Sequence, residues 1–398
     1  MPEKHKLSDV CIGLIGPLPP VRGGMSLYVQ RLANRLHAAG LRVVVLATGD
    51  GREVLPGVTV RRVKLGRTLA AQCGQIAWEE RIDLLHFHTF GCSWKDLLPF
   101  VALRRLGGVP VMASQHSFLN DVDLMAPKDR KLLQMCVQRM SRVVTSGPTV
   151  YDKLLQVGVH PEKLAPVVPF LAPSSQELNW HPWPEDVLAV RKRRGPVIAS
   201  GTGRLVMASG RDLYGLDVFI QAAHQVLQAL PDAAFVYVIG APGNEELLQW
   251  AHTYVRNHGL QDSVCVHLGE LPGPAMWQAA DIFVRPTIDD GDAVSIREAM
   301  YLGVPTIASD AVGRPAGCQT YRCGEPADLA QALIAMATDL PKQRAIVAAH
   351  RPDEGFEAIL DIYQQTLETL PRRERLRRTV MRKLLVGQGN RDRPGVQA

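Results

Sequence analysis

Short apolar runs alternate with longer amphipathic stretches along most of the chain. The first run, VCIGLIG at residues 10–16, is bounded by GPLPP and predicts a buried strand. A helical pattern follows from about Met25 to Ala39: Met25, Val29, Leu32, Ala33 and Leu36 share one face, and Gly40 ends it. LRVVVLA predicts the second strand, and IDLLHFH, VPVMASQH and SRVVTSG (141–147) predict three more. Six prolines then interrupt the pattern, at 166, 169, 173, 182, 184 and 196, and predict a linker. The alternation restarts beyond them. RLVMASG predicts a strand, GLDVFIQAAHQVLQAL a helix, and AAFVYVIG, VCVHLGE, DIFVRPT and VPTIASD four further strands. Two such runs imply an α/β chain of two doubly wound, Rossmann-like parallel sheets facing a central cleft.

Length and composition agree with two domains: the chain has 398 residues, 46% of them hydrophobic. The expected division is a first domain over 1–172, a proline-rich linker over 173–196, a second domain over 197–345, a helical segment over 346–370 and a basic tail over 371–398. Seven scattered cysteines form no CxxC pair, which points to free thiols in a reducing compartment. Cys318 and Cys323 have no cysteine or histidine neighbours at zinc spacing, so no metal site is expected. The N-terminal MPEKHKLSD is too polar for a signal peptide, and the best apolar stretch, LLPFVALRRLGGVPVMA, is broken by Arg104 and Arg105. A cytoplasmic protein, soluble or peripheral at a membrane, is expected.

The net charge of +6 conceals an asymmetry. Residues 1–170 carry 22 basic and 13 acidic side chains, residues 171–370 carry 14 and 24, and the last 28 carry nine and two. Such asymmetry points to an anionic partner for the basic parts, nucleic acid or an anionic membrane surface; a solvated surface with no partner is the alternative. Nucleic acid is not expected, because no DNA-reading helix accompanies the tail. The tail from about Arg372 to Val386 has a helical pattern with Leu376, Val380, Lys383 and Leu384 near one stripe, beside Met381 and Leu385. It reads either as a membrane-surface helix or as a disordered solubilising tail.

Three loops carry candidate chemistry. GPLPPVRGGMSLYV places Gly23 and Gly24 before the first helix, where bare backbone can approach an anion; a plain tight loop is the alternative, and no GxGxxG is present. SGRDLYGLD (209–217) presents Arg211, whose fork of donors suits a phosphate; a surface pair with Asp212 is the alternative. RPTIDDGDAVSIREAMYLGVPTIASD (285–310) puts Asp289, Asp290 and Asp292 on a loop that opens the helix bearing Glu298. Ser295 and Glu298 fit a capping box, which explains Glu298 but not the three aspartates. A ligand with both hydroxyls and phosphates reconciles them: carboxylates accept from sugar hydroxyls while amides and an arginine hold the phosphates.

Over about residues 10–370 the chain resembles the family 4 glycosyltransferases. The resemblance is most specific at Asp290-x7-Glu298 followed by AMYLGVPTIASD, which is similar to that family's E-x7-E motif and its EAMAxGxPVVAS run. The glycine pair at 23–24, HFH at 86–88 and SQH at 114–116 also fall where such sequences have theirs. The resemblance implies the GT-B fold, an N-terminal acceptor-side domain, a C-terminal donor domain and retaining transfer from a nucleotide sugar to a glycan or polyprenyl-linked acceptor. It implies catalytic roles for His116, Asp290 and Arg211. Glu298 would accept from the donor ribose, Asp290 would face the sugar, Gly24 would meet the diphosphate or sugar through its backbone, His116 would lie against the sugar and Arg211 would bind the diphosphate. The implied donor contacts are Gly23, Gly24, Arg211, Asp290, Gly291, Asp292, Ala293, Val294, Ser295 and Glu298. No cofactor or metal is implied, and Asp290-Gly-Asp292 matches DxD by coincidence.

Two departures stand out. Asp290 is one methylene shorter than the family's glutamate, so Asp289 or Asp292 is an alternative sugar contact. GRDLYG is two residues shorter than the family pattern GRLxxxKG and has Tyr214 in place of its lysine, leaving Arg204, Arg285 or Arg314 as compensating cations. The competing readings are a nucleotide-sugar epimerase on the same fold and a non-catalytic nucleotide-sugar-binding partner protein.

Overall fold

The apolar runs become parallel strands that are buried on both faces, which explains why they read as continuous hydrophobic stretches rather than as alternating ones. The structure is a computed structural model that describes residues 9–19, 24–49, 51, 54–89, 91–118, 122–208, 210–290 and 293–389, with side chains as far as residue 380. The elements are, in order, β1 (Cys11–Pro17), α1 (Gly24–Ala38), β2 (Arg42–Thr48), β3 (Thr59–Val63), α2 (Leu69–Glu79), β4 (Leu84–Thr89), α3 (Trp94–Gly107), β5 (Val111–Gln115), α4 (Pro127–Arg139), β6 (Arg142–Ser146), α5 (Pro148–Gln156) and β7 (Leu164–Val167). Next come α6 (Ser175–Leu178), α7 (Glu185–Arg191), β8 (Val197–Arg204), β9 (Met207–Ala208), β10 (Arg211–Asp212), α8 (Leu216–Ala229), β11 (Ala234–Ala241), α9 (Glu245–Asn257), β12 (Val264–Leu268) and α10 (Gly273–Gln278). The last are β13 (Ile282–Arg285), α11 (Val294–Tyr301), β14 (Thr306–Ser309), β15 (Gln319–Tyr321), α12 (Pro326–Thr338), α13 (Leu340–Ala349), α14 (Phe356–Glu368) and α15 (Arg372–Gly389).

The chain forms two units, Met1–Leu171 with Glu354–Ala398, and Ala172–Asp353. The first holds a seven-stranded parallel sheet in the order β3-β2-β1-β4-β5-β6-β7. One face is covered by α2 to α5 and the other by α1 and α14, which contributes Phe356, Ile359 and Tyr363 to the core. The second unit holds a six-stranded parallel sheet in the order β12-β11-β8-β13-β14-β15, covered by α8, α9 and α12 on one face and α7, α10, α11 and α13 on the other. Each order reverses once, between β1 and β4 and between β8 and β13. At such a reversal the loops at the carboxyl ends part and open a ligand crevice.

Both units fasten their reversal in the same way at the opposite end of the strands. Asp83, just before β4, accepts from the Cys11 amide with one oxygen (3.0 Å) and from Arg378 Nε with the other (2.8 Å). Asp281, just before β13, accepts from the Val197 amide (3.0 Å) and from Arg344 (2.9 Å).

Three expectations change. RLVMASG is not the first strand of the second half; that strand is β8, and RLVMASG supplies a turn and the short β9, with Val206 and Met207 exposed. Residues 173–196 are not a bare linker. They fold into α6 and α7 within the second unit, where Val187 and Val190 are buried against Val197, Val236 and Trp277, so apolar spacing outweighs proline content. Where it is described, the tail forms the helix α15 rather than a disordered segment, and its arginines fix it to the first unit. Arg373 donates to the carbonyls of Arg105 and Leu106 at the end of α3, Arg377 to those of Ala77 and Ile82 beyond α2, and Arg104 pairs with Glu374 at 2.9 Å. Cations at the carbonyl ends of helices are favoured by the helix dipole.

Candidate functional site

In the second unit the chemistry gathers at the carboxyl ends of β8, β13 and β14. Arg285 is the last residue of β13, a charge at the end of an otherwise apolar strand. Its Nε lies 3.0 Å from Asp290 Oδ2 and its Nη2 3.4 Å from Oδ1. Arg314 reaches the same carboxylate from beyond β14, with Nη1 3.3 Å from Oδ2, and Thr287 Oγ1 lies 3.1 Å from that oxygen. Arg314 also donates to the Ser309 carbonyl (2.8 Å), the Ser309 hydroxyl (3.0 Å) and Thr287 Oγ1 (3.3 Å). All three charged side chains are largely buried. Burial alone would raise the Asp290 pKa, but the two guanidinium groups outweigh it and hold the carboxyl below its usual range.

The loop from β10 into α8 is shaped by Asp212, which is buried and accepts from the amides of Tyr214 (2.9 Å) and Leu216. It thereby takes up orphan amides at the start of α8. Burial raises its pKa, and these amide bonds oppose that rise. Gly215 has φ +68°, and a Cβ there would overlap the Pro286 carbonyl, so this loop packs directly on the chain leaving β13. The alternative reading of a surface pair between Arg211 and Asp212 gives way to these amide contacts. Arg211 is exposed, and its guanidinium lies against Gly324, where a Cβ would overlap it. Tyr214 sits with its ring centroid 5.3 Å from Arg285 Cζ, a cation–π contact.

The capping box does not form. The N-cap of α11 is Ala293 with Val294 as the first helical residue, so Ser295 lies inside the first turn, and its buried hydroxyl has no partner among the described residues. Glu298 is 5% exposed and accepts from Trp277 Nε1 at 3.3 Å. Gly23, Gly291 and Asp292 lie outside the described residues. Gly24 opens α1, and a Cβ on it would meet no described atom within 4 Å.

In the first unit His86 and His88 on β4 share a face with Ser114 on β5 and His116 just after it. His88 Nδ1 is 3.1 Å from His116 Nε2, and His86 bridges Ser114 Oγ (2.8 Å) and the Tyr363 hydroxyl of α14 (2.7 Å). Tyr28 of α1 packs edge-on to His116 with centroids 5.2 Å apart. Burial pushes His86 down to about 3 and His116 to about 4, and His88 lies well below its ordinary value for the same reason. At neutral pH the cluster is therefore uncharged and acts through hydrogen bonds. The sequence marks the histidines by their period-two spacing; Tyr28, Tyr363 and Trp277 carry no such mark, because they arrive from distant helices.

A GT-B fold is the class that these two parallel-sheet units define. Residues 22–170 match the model of Glycosyltransferase Family 4, and residues 202–339 match that of Glycosyl transferases group 1. The chain carries these two glycosyltransferase family domains and is a glycosyltransferase, as the resemblance implied. It is similar to the D-inositol 3-phosphate glycosyltransferase of Paenarthrobacter aurescens, 23% identical over 403 residues that cover 88% of this chain and 95% of that one. The structure of HepE from Anabaena in complex with UDP shares the fold with a TM-score of 0.65 at 17% identity, covering 91% of this chain and 99% of that one; HepE has also been solved with UDP-glucose. A glycosyltransferase from Rickettsia africae has a TM-score of 0.70 at 13% identity, with 91% and 99% covered.

Proposed function

We propose that this glycosyltransferase moves a sugar from a nucleotide-sugar donor to a glycan or polyprenyl-linked acceptor with retention of configuration, in surface polysaccharide or glycoconjugate synthesis at the cytoplasmic face of a membrane. The observation that carries the reading is the arrangement of exposed Arg211, the Arg285–Asp290–Arg314 cluster and buried Glu298 around the carboxyl ends of the second unit's central strands. HepE, with the same fold, was solved with UDP-glucose, which supports a nucleotide-sugar donor here.

In this reading Glu298 accepts from the donor ribose, while Arg211 and loop amides hold the diphosphate. The bond from the anomeric carbon to the diphosphate oxygen breaks, and its electron pair stays on that oxygen. The acceptor oxygen bonds to the anomeric carbon on the same face, and its proton passes to the departing phosphate. Fixed cations and amides stabilise the developing charge in this step without calling on a metal. His116, neutral at pH 7, hydrogen-bonds the sugar, and the Gly24 backbone meets the diphosphate or the sugar.

Thermal shift with UDP-, GDP- and ADP-sugars is the test, followed by analysis of the anomeric configuration of the product. A donor present at 100 times its Kd stabilises by about 2.7 kcal/mol. A protein stabilised by none of the three, or a product of inverted configuration, overturns the reading.

A further inference from the structure

We propose that Asp290 is a positioning residue rather than a sugar contact, and that it aims Arg285 at the diphosphate of the bound nucleotide. The inference rests on the donor-binding reading of this unit.

The hydrogen bonds at Asp290 leave it poorly suited to a sugar. Oδ2 accepts from Arg285 Nε, Arg314 Nη1 and Thr287 Oγ1, and Oδ1 accepts from Arg285 Nη2. With three donors on Oδ2 and a fourth on Oδ1, the carboxylate is already committed to its protein partners and has little accepting capacity left for a sugar hydroxyl. The two arginines differ in what remains to them. Arg314 has a side chain only 3% exposed, and each of its nitrogens is held by Ser309, Thr287 or Asp290, so it braces the carboxylate. Arg285 is 13% exposed and places Nε and Nη2 on Asp290 and Nη1 at 3.5 Å from the Gly201 carbonyl. A guanidinium has five N–H groups. Two on Arg285 therefore remain for a ligand, one on each terminal nitrogen.

The position and the charge suit an anion. Arg285 ends β13, beside the reversal between β8 and β13, where open parallel sheets take their ligands. Two guanidinium groups and one carboxylate leave a net positive charge. Tyr214, whose ring lies against Arg285, occupies the loop position that a cation would otherwise fill. The cation at this corner thus comes from the strand end instead of the loop.

Titration of the full chain with UDP, GDP and ADP, read by calorimetry, tests the assignment. Arg285→Ala should weaken the best-bound diphosphate about tenfold or more, the effect expected for a lost charge-assisted hydrogen bond. Asp290→Asn should weaken it as well. This sign is diagnostic, because removing a negative charge would by itself favour an anion. In the Arg285→Ala background the Asp290→Asn change should cause no further loss, since nothing is left to aim. Tyr214→Lys in the Arg285→Ala background should recover part of the affinity, which separates a missing cation from a damaged fold. Unchanged or tighter diphosphate binding by Asp290→Asn, or unchanged binding by Arg285→Ala, overturns the inference and leaves the donor reading standing. A parent protein that binds none of the three diphosphates overturns both.

Discussion

Glu298 and Ser295 show how far a motif can mislead about one residue and still mark the right place. The spacing fits a capping box, but the helix begins two residues earlier than the box requires, and Glu298 turns to Trp277. Glu298→Gln should therefore fold with near-parent stability, because a glutamine oxygen still accepts from the indole, and should lose most donor binding; parent-like binding in a titration would remove Glu298 from the donor site. Ser295→Ala should change stability by less than about 0.5 kcal/mol in denaturant melts, since the hydroxyl it removes is buried without a partner. The histidine cluster makes a separate prediction. His86 and His116 have folded pKa values pushed to about 3 and about 4, below the ordinary 6.5. Between 6.5 and those values the unfolded chain binds protons that the folded chain refuses, so stability is complete above 6.5 and falls on acidification. At pH 5 each histidine should cost on the order of 2 kcal/mol. Melts from pH 7.5 to 4.5 should show this drop, and His116→Asn should reduce it; a flat profile would mean that the cluster is not buried and neutral.

At the scale of elements, two connections hold more than their length suggests. The turn at Gly215 joins β10 to α8 and touches the residue after β13, so Gly215→Ala combines a left-handed backbone with a clash against Pro286. It should cost more than about 1 kcal/mol and lower donor affinity together with stability. The helix α15 binds the ends of α2 and α3 and the Asp83 carboxylate. Arg378→Ala should cost about 1.5–3 kcal/mol, because Asp83 keeps its buried place and loses its cation. Chemical denaturation of this variant beside Asp83→Asn and the double change would show coupling; additive losses would mean that the pair does not act as a unit. The helix itself was legible in the tail, since leucines and arginines recur at helical spacing. Its docking was not, because the carbonyls it caps belong to residues some 270–300 positions away.

For the whole molecule, the charge asymmetry makes a prediction about the tail. Among the described residues no helix is long and apolar enough to cross one. Arg373, Arg377 and Arg378 are bound to the first unit, whereas Arg372, Arg375, Leu376 and Val380 are exposed. Cosedimentation with anionic vesicles should be salt-sensitive and should fall when residues 371–398 are removed; equal binding by both forms at low salt would dismiss the tail as anchor. The sequence by itself determined the alternation of strands and helices, the division into two parallel sheets and the loop with Asp290 that opens the helix bearing Glu298. Those features rest on local periodicity and on runs of apolar residues, which neighbours in the chain express together. Tertiary structure alone decided that α14 joins the first unit, that residues 173–196 fold instead of linking, and that Asp290 faces Arg285 and Arg314. These depend on which distant surfaces meet, and a buried charge takes its partner from whatever the fold brings within hydrogen-bonding distance.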